Sequence, residues 1–324
     1  MNVLKKITLS LAGLLIVLFI GAYIFFKKAF TPEPNYLELT ESSNFVPIKW
    51  VKSKHSDIAG LLLPVKFKGI PHTFYMQFDT GSPSTLLYKQ TMLSMREKYP
   101  DQIAEIDSTS TTIEETFQLG DMEIHSKQFK LYDREEKLID WNDTTTIIRI
   151  GTLGADIIDK KLTVLDFKKQ YCYFGEEVPD LGKEVIFHAL KFKMRKVLIP
   201  ALVAGKKRKL LHDTGTSGFE LITDEKTWKK LSKKGAEPKE AFKVRSWKRK
   251  LTAFNIASDK KINFEPLEIN LNQVTYIKGA SFMQRAGMRL TGMGGMIGNQ
   301  LFMDKVLILD CKNKKYSILE YENP

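Results

Sequence analysis

The alternation of apolar and polar positions divides this chain into one long apolar run followed by many short strand-like segments. The run, Ile7 to Phe26, is twenty residues without a charge. A helix rises about 1.5 Å per residue, so such a run spans the roughly 30 Å hydrocarbon core of a bilayer. Lys27 and Lys28 stop it and no small-residue cleavage pattern follows, so residues 1–28 are expected to form a membrane anchor rather than a cleaved leader. Residues 29–44 contain Pro32 and Pro34 without periodicity and read as a juxtamembrane spacer. From Phe45 onward, Ile48-Lys49-Trp50, Leu62 to Phe67 and Thr73 to Phe78 are strand-like, and Gly69-Ile70-Pro71 supplies a turn. The spacing of Met92, Leu93, Met95, Tyr99 and Ile103 predicts a short helix, and Gly120-Asp121 predicts a hairpin turn between Leu119 and Met122.

Two of these segments end alike. Phe78-Asp79-Thr80-Gly81-Ser82 and His212-Asp213-Thr214-Gly215-Thr216 each place a carboxylate on a tight turn, where glycine has the backbone freedom the turn needs. The similarity extends outward. Leu63-Pro64-Val65 precedes the first copy as Ile199-Pro200-Ala201 precedes the second, and Gly154 to Asp166 has the same length as Gly298 to Asp310, each closing on an apolar strand. A repeat of that length predicts two β lobes, residues 45–184 and 185–324, facing one another so that Asp79 and Asp213 meet across a pseudo-twofold axis.

The paired loops resemble the catalytic loops of pepsin-like aspartic proteases. The resemblance implies an all-β, bilobal acid-protease fold behind one transmembrane helix. In such an enzyme Asp79 and Asp213 share a proton, one ionised carboxylate activating water and the other donating to the scissile carbonyl, without a metal or other cofactor. Thr80 and Thr214 would brace the loops, Gly81 and Gly215 would leave room beside the dyad, and Ser82 and Thr216 would place hydroxyls on the carboxylates. Departures are visible too. The segment around Asp107 to Glu115 lacks the tyrosine and glycines of the family's flap, Leu86 and Leu87 replace a tryptophan, and the two aspartates are only 134 residues apart. These mark a compact, divergent relative.

Composition changes the picture at few points. The net charge of +12 and a pI near 9.4 suit an anionic neighbour. Residues 226–250 concentrate eleven lysines and arginines against Glu237 and Glu240, a solvated face or, beside an anchor, a contact for anionic lipid. No nucleic-acid reading motif interleaves them. Cys172 and Cys311 allow one bridge between closing strands or two buried thiols. The glycine-rich 292–298 misses phosphate-loop spacing and reads as loop and turn, and the five histidines show no metal-ligand spacing. The expected protein is thus a monomeric, single-pass aspartic endopeptidase acting on peptide or protein substrates, its body on the exported side. The alternatives are an inactive peptide-binding scaffold and a membrane-surface interaction module.

Overall fold

The structure is a computed structural model that describes residues 3–41, 45–133, 138–246, 249–265, 267–279, 288 and 292–321. The helix α1 (Val3–Phe30) carries the apolar run, and its side chains at 11–25 are all exposed, Phe19 to 77%. Among the described residues, no helix is long and apolar enough to cross a membrane. The body is built mainly of strands, as its alternating pattern predicts.

The spacer is not a free linker. Within it β1 (Glu38–Leu39) adds to the sheet edge, Asn35 Nδ2 donates to Asp156 O at 2.8 Å, and Glu33 meets Lys130 at 2.7 Å. Residues 42–44 of the spacer lie outside the described residues. The first half then runs through β2 (Val46–Pro47), β3 (Lys49–Ser53), β4 (Ser56–Val65), β5 (Phe74–Phe78) and β6 (Leu86–Tyr88) to the helix α2 (Lys89–Lys98). It continues with β7 (Thr112–Leu119), β8 (Met122–Tyr132), β9 (Arg149–Leu153), β10 (Leu162–Asp166) and β11 (Tyr171–Gly175). The period-two rule is clearest in β7, where Ile113, Glu115, Phe117 and Leu119 point inward. Glu115 is tolerated there because its carboxylate accepts the Ala104 N–H at 2.6 Å.

The second half comprises β12 (His188–Ala189), β13 (Lys191–Lys193), β14 (Lys196–Val203), β15 (Lys206–His212), β16 (Leu221–Thr223) and the helix α3 (Glu225–Leu231). After these come β17 (Phe242–Ser246), β18 (Arg249–Asn263), β19 (Glu268–Lys278), β20 (Gly295–Ile297), β21 (Lys305–Asp310) and β22 (Lys315–Glu320). The glycine-rich stretch is therefore not loop throughout. Its residues 295–297 form β20 at the centre of a sheet, packed so tightly that a Cβ on Gly295 would lie 3.1 Å from Ile222 O.

The two halves share one pairing scheme. In the first, the order is β4-β5-β9-β6-β8-β7, returning to β4 through a Lys66–Gln118 bridge; in the second it is β14-β15-β20-β16-β19-β18, returning through β18 to β14. Directions agree as well. The pairs β5–β9 and β6–β8 are parallel, as are β15–β20 and β16–β19, while β6–β9 and β16–β20 are antiparallel. A central sheet, β12-β22-β21-β10-β11-β2, joins the halves. Within it Val164 pairs with Ile308, each ten residues past the repeated glycine, so equivalent residues face each other.

This sheet also decides between the two readings of the cysteines. Cys172 lies on β11 and Cys311 just beyond β21, on opposite sides of β10, and both are buried free thiols. Two strand spacings separate their strands, roughly 9–10 Å and too far for a disulfide.

Candidate active site

Each Asp-Thr-Gly turn begins where a central strand runs out. The Asp79 N–H donates to Leu153 O at 2.9 Å and the Asp213 N–H to Ile297 O at 3.0 Å, extending the parallel ladders by one step. The turns close when the Ser82 and Thr216 N–H groups donate to Asp79 O and Asp213 O, both at 3.0 Å. The repeated glycines fit against them. A Cβ on Gly154 would stand 2.3 Å from the Ser84 carbonyl carbon, and one on Gly298 only 2.0 Å from Thr216 O. The register repeat visible in sequence is thus a packing requirement of the two loops.

The loops then grip each other. The Thr80 N–H donates to Thr214 Oγ1 at 2.9 Å, and the Thr214 N–H returns a bond to Thr80 Oγ1 at 3.1 Å. Each hydroxyl donates onward across the junction, Thr80 to His212 O at 2.8 Å and Thr214 to Phe78 O at 2.7 Å. Both threonines are fully buried. The clasp brings the carboxylates together, near enough that each shifts the titration of the other. A Cβ on Gly81 would lie 2.6 Å from the Asp213 carboxylate, and one on Gly215 would lie 2.5 Å from Asp79 Oδ1. Only glycine fits between one loop and the opposing acid.

Burial and proximity set the electrostatics. Asp79 is held above its ordinary carboxylate range by desolvation, opposed by N–H donors from Gly81 at 2.9 Å and Ser82 at 3.1 Å. Asp213 is pushed up further by burial and the charge of Asp79, with one N–H donor, Gly215 at 2.9 Å, to offset this. Both shifts favour a proton held between the two acids, and the pair titrates as a unit. Lys196 acts on Asp213 as a positive charge, and its own ammonium is pushed down by burial.

Of the predicted site residues, Asp79, Asp213, Thr80, Thr214, Gly81 and Gly215 converge. Ser82 and Thr216 support the loops differently from expectation. The Ser82 hydroxyl donates to Ser84 O at 2.9 Å and the Thr216 hydroxyl to Asp213 O at 2.9 Å, so neither hydroxyl is placed on a carboxylate. The turns fold these short side chains back onto their own backbone.

Sequence reading missed Arg195 and Lys196. Met194 and Arg195, at φ of 54° and 53°, make the β13–β14 turn without the glycine that would have signalled it. That turn carries the Arg195 guanidinium across to Pro83 O at 3.0 Å and Ser84 Oγ at 3.3 Å. His212 is buried in the strand end before Asp213, its ring 5.8 Å from Phe302, as Phe78 before Asp79 packs at 5.5 Å on Phe174. In the first half 107–111 is a turn around the Asp107 carboxylate. In the second, β17 and the start of β18 project as a hairpin past the pairing with β19, which begins at Thr252. Among the described residues, no cluster of three or more histidines, cysteines or acids could hold a metal. No protein-family model matches the chain, and a search of curated proteins returned no match.

Proposed function

We propose that this chain is an aspartic endopeptidase of pepsin-like, two-lobed fold, held to a membrane by its N-terminal helix. The observation that carries the reading is the meeting of Asp79 and Asp213, each clasped by its own loop's backbone and each touching the other loop's glycine. Two carboxylates held this close differ in proton occupancy, so one pair supplies a base and an acid at one pH. The ionised member of the pair takes a proton from a bound water as the water attacks the scissile carbonyl. The protonated member donates its proton to the developing oxyanion, and the roles reverse as the leaving amine is protonated. The threonine clasp fixes the distance between the acids, so no reorganisation accompanies the proton transfers.

The anchor reading draws support from α1, whose apolar side chains at 11–25 are exposed on every side of the helix. The body is assigned to the exported side.

The test is cleavage of a diverse peptide mixture by the full chain in detergent micelles, from acid to neutral pH, beside Asp79→Asn and Asp213→Asn. Hydrolysis by the parent and its loss in both variants is the expected result. A folded parent that cleaves nothing at any pH would refute the reading.

A further inference from the structure

The positive charge of this protein is not spread evenly. Three hairpins touch the paired loops. In β3–β4, Ser56 sits so close to the second loop that a Cβ on Gly218 would lie 2.7 Å from its Oγ. The β13–β14 hairpin sends Arg195 onto the first loop. In β17–β18, Phe242 stacks 6.3 Å from Phe219 and 4.3 Å from His55, at the joint between the halves.

Among the described residues of 49–65, 191–203 and 242–253 there are eleven lysines and arginines and one acid, Asp57, against a net charge of +12 for the whole chain. Among the described side chains, this charge meets an acid at two points. Asp57 lies 3.6 Å from Lys52, and Arg195 lies 3.6 Å from Asp159. Lys54, Lys193, Lys243 and Lys250 are exposed and, among the described residues, form no ion pair. Lys196 is partly buried beside Asp213 and likewise has no ion-pair partner among them. A cleft rimmed by one sign of charge focuses its field on the groove between the walls, raising local concentration and capture rate for ligands of opposite sign.

We propose that the cleft selects peptide segments carrying aspartate or glutamate on both sides of the scissile bond. This rests on the endopeptidase reading and names its substrate class. The substrate backbone lies extended along the paired loops, its carboxylates facing Lys54, Lys193, Lys243 and Lys250. Arg195 and Lys52 are already engaged and add field rather than contacts.

The experiment uses the full chain in neutral-lipid discs and two labelled decapeptides with the same central apolar pair. One has Asp and Glu flanks, the other Asn and Gln at the same positions. Binding is read by fluorescence anisotropy on Asp79→Asn, and turnover on the parent. The acidic peptide is expected to bind and be cleaved at least tenfold better, with the advantage shrinking severalfold between low and high salt. In Lys243→Gln/Lys250→Gln the ratio of acidic to neutral peptide should fall severalfold. Equal binding of the two peptides, or a ratio unmoved by salt and by both substitutions, overturns the inference. Equal binding with slower hydrogen exchange of β17–β18 in discs containing phosphatidylserine would reassign the basic rim to anionic lipid. Preferential binding of the acidic peptide without cleavage by the parent would uphold the charge selection and sink the endopeptidase reading instead.

Discussion

Thr214→Val removes one hydroxyl and leaves the side-chain shape nearly unchanged. In the parent that hydroxyl donates to Phe78 O at 2.7 Å and accepts the Thr80 N–H at 2.9 Å, in a place from which water is excluded. Valine takes the partner from both backbone groups. A buried group left unpaired costs about 1–3 kcal/mol, so the substitution should cost roughly 2–6 kcal/mol. That is a large share of the 5–15 kcal/mol typical of a folded domain. Reversible guanidinium unfolding of the full chain in detergent should show the midpoint falling by about 0.5–1 M. Thr80→Val removes the mirror-image pair, the bond to His212 O and the one from the Thr214 N–H, and should cost as much. Because the four bonds form one network, the double variant should lose less than the sum. Thr214→Ser keeps the hydroxyl and should stay within about 1 kcal/mol of the parent. A midpoint unchanged in both valine variants would refute the view that this clasp holds the halves together.

Three further outcomes follow from the same geometry. Gly81→Ala drives a methyl into the Asp213 carboxylate, so peptide hydrolysis should drop at least a hundredfold while the chain stays folded; retained turnover would show that the loops do not approach this closely. Lys196→Met removes a charge that favours ionised Asp213, so the pH–rate profile should move to higher pH, and a downward or absent shift would contradict the placement of Lys196. Burial holds the His212 imidazole down at about 3, so the folded protein binds fewer protons than the unfolded chain and loses stability as pH falls from about 6.5 towards that value. In His212→Phe, which copies Phe78, that loss disappears, and its melting-temperature advantage over the parent should widen from pH 7 to pH 4; an advantage constant with pH would argue against it. The raised dyad carboxyls act in the opposite sense, favouring the folded state on acidification, and cancel in the comparison because both proteins keep them.

Much of the site was legible because its residues follow from backbone constraints that show in sequence. Asp-Thr-Gly demands a turn, Gly154 and Gly298 must be glycine where they fit against the loops, and apolar runs of period two must be strands. Residues whose role depends on what lies across the junction left no such mark. Arg195 and Lys196 look like ordinary surface charges until the β13–β14 turn is seen to reach the opposite half. The hydroxyls of Ser82 and Thr216 had two acceptors in reach, and sequence cannot tell a carboxylate from a carbonyl. The basic stretch 226–250 is no single face, since Lys226, Lys229 and Lys230 ride on α3 whereas Lys243 and Lys250 lie on the hairpin, and 247–248 lie outside the described residues. Spacer residues 31–41 lack periodicity because they dock through a two-residue edge strand and single contacts, Asn35 on Asp156 and Glu33 on Lys130, rather than through a repeating apolar face.

Thr80 meets Thr214, and Val164 meets Ile308, each residue opposite its own equivalent. Two points where equivalents meet define a line, and the dyad lies beside it. That line is the axis of the internal repeat. Were one half to turn against the other about it, displacement would grow in proportion to distance from the line, so outlying strands would move widely while groups on the axis would scarcely separate. Any turn of one half against the other about that line therefore leaves the two acids nearly where they are.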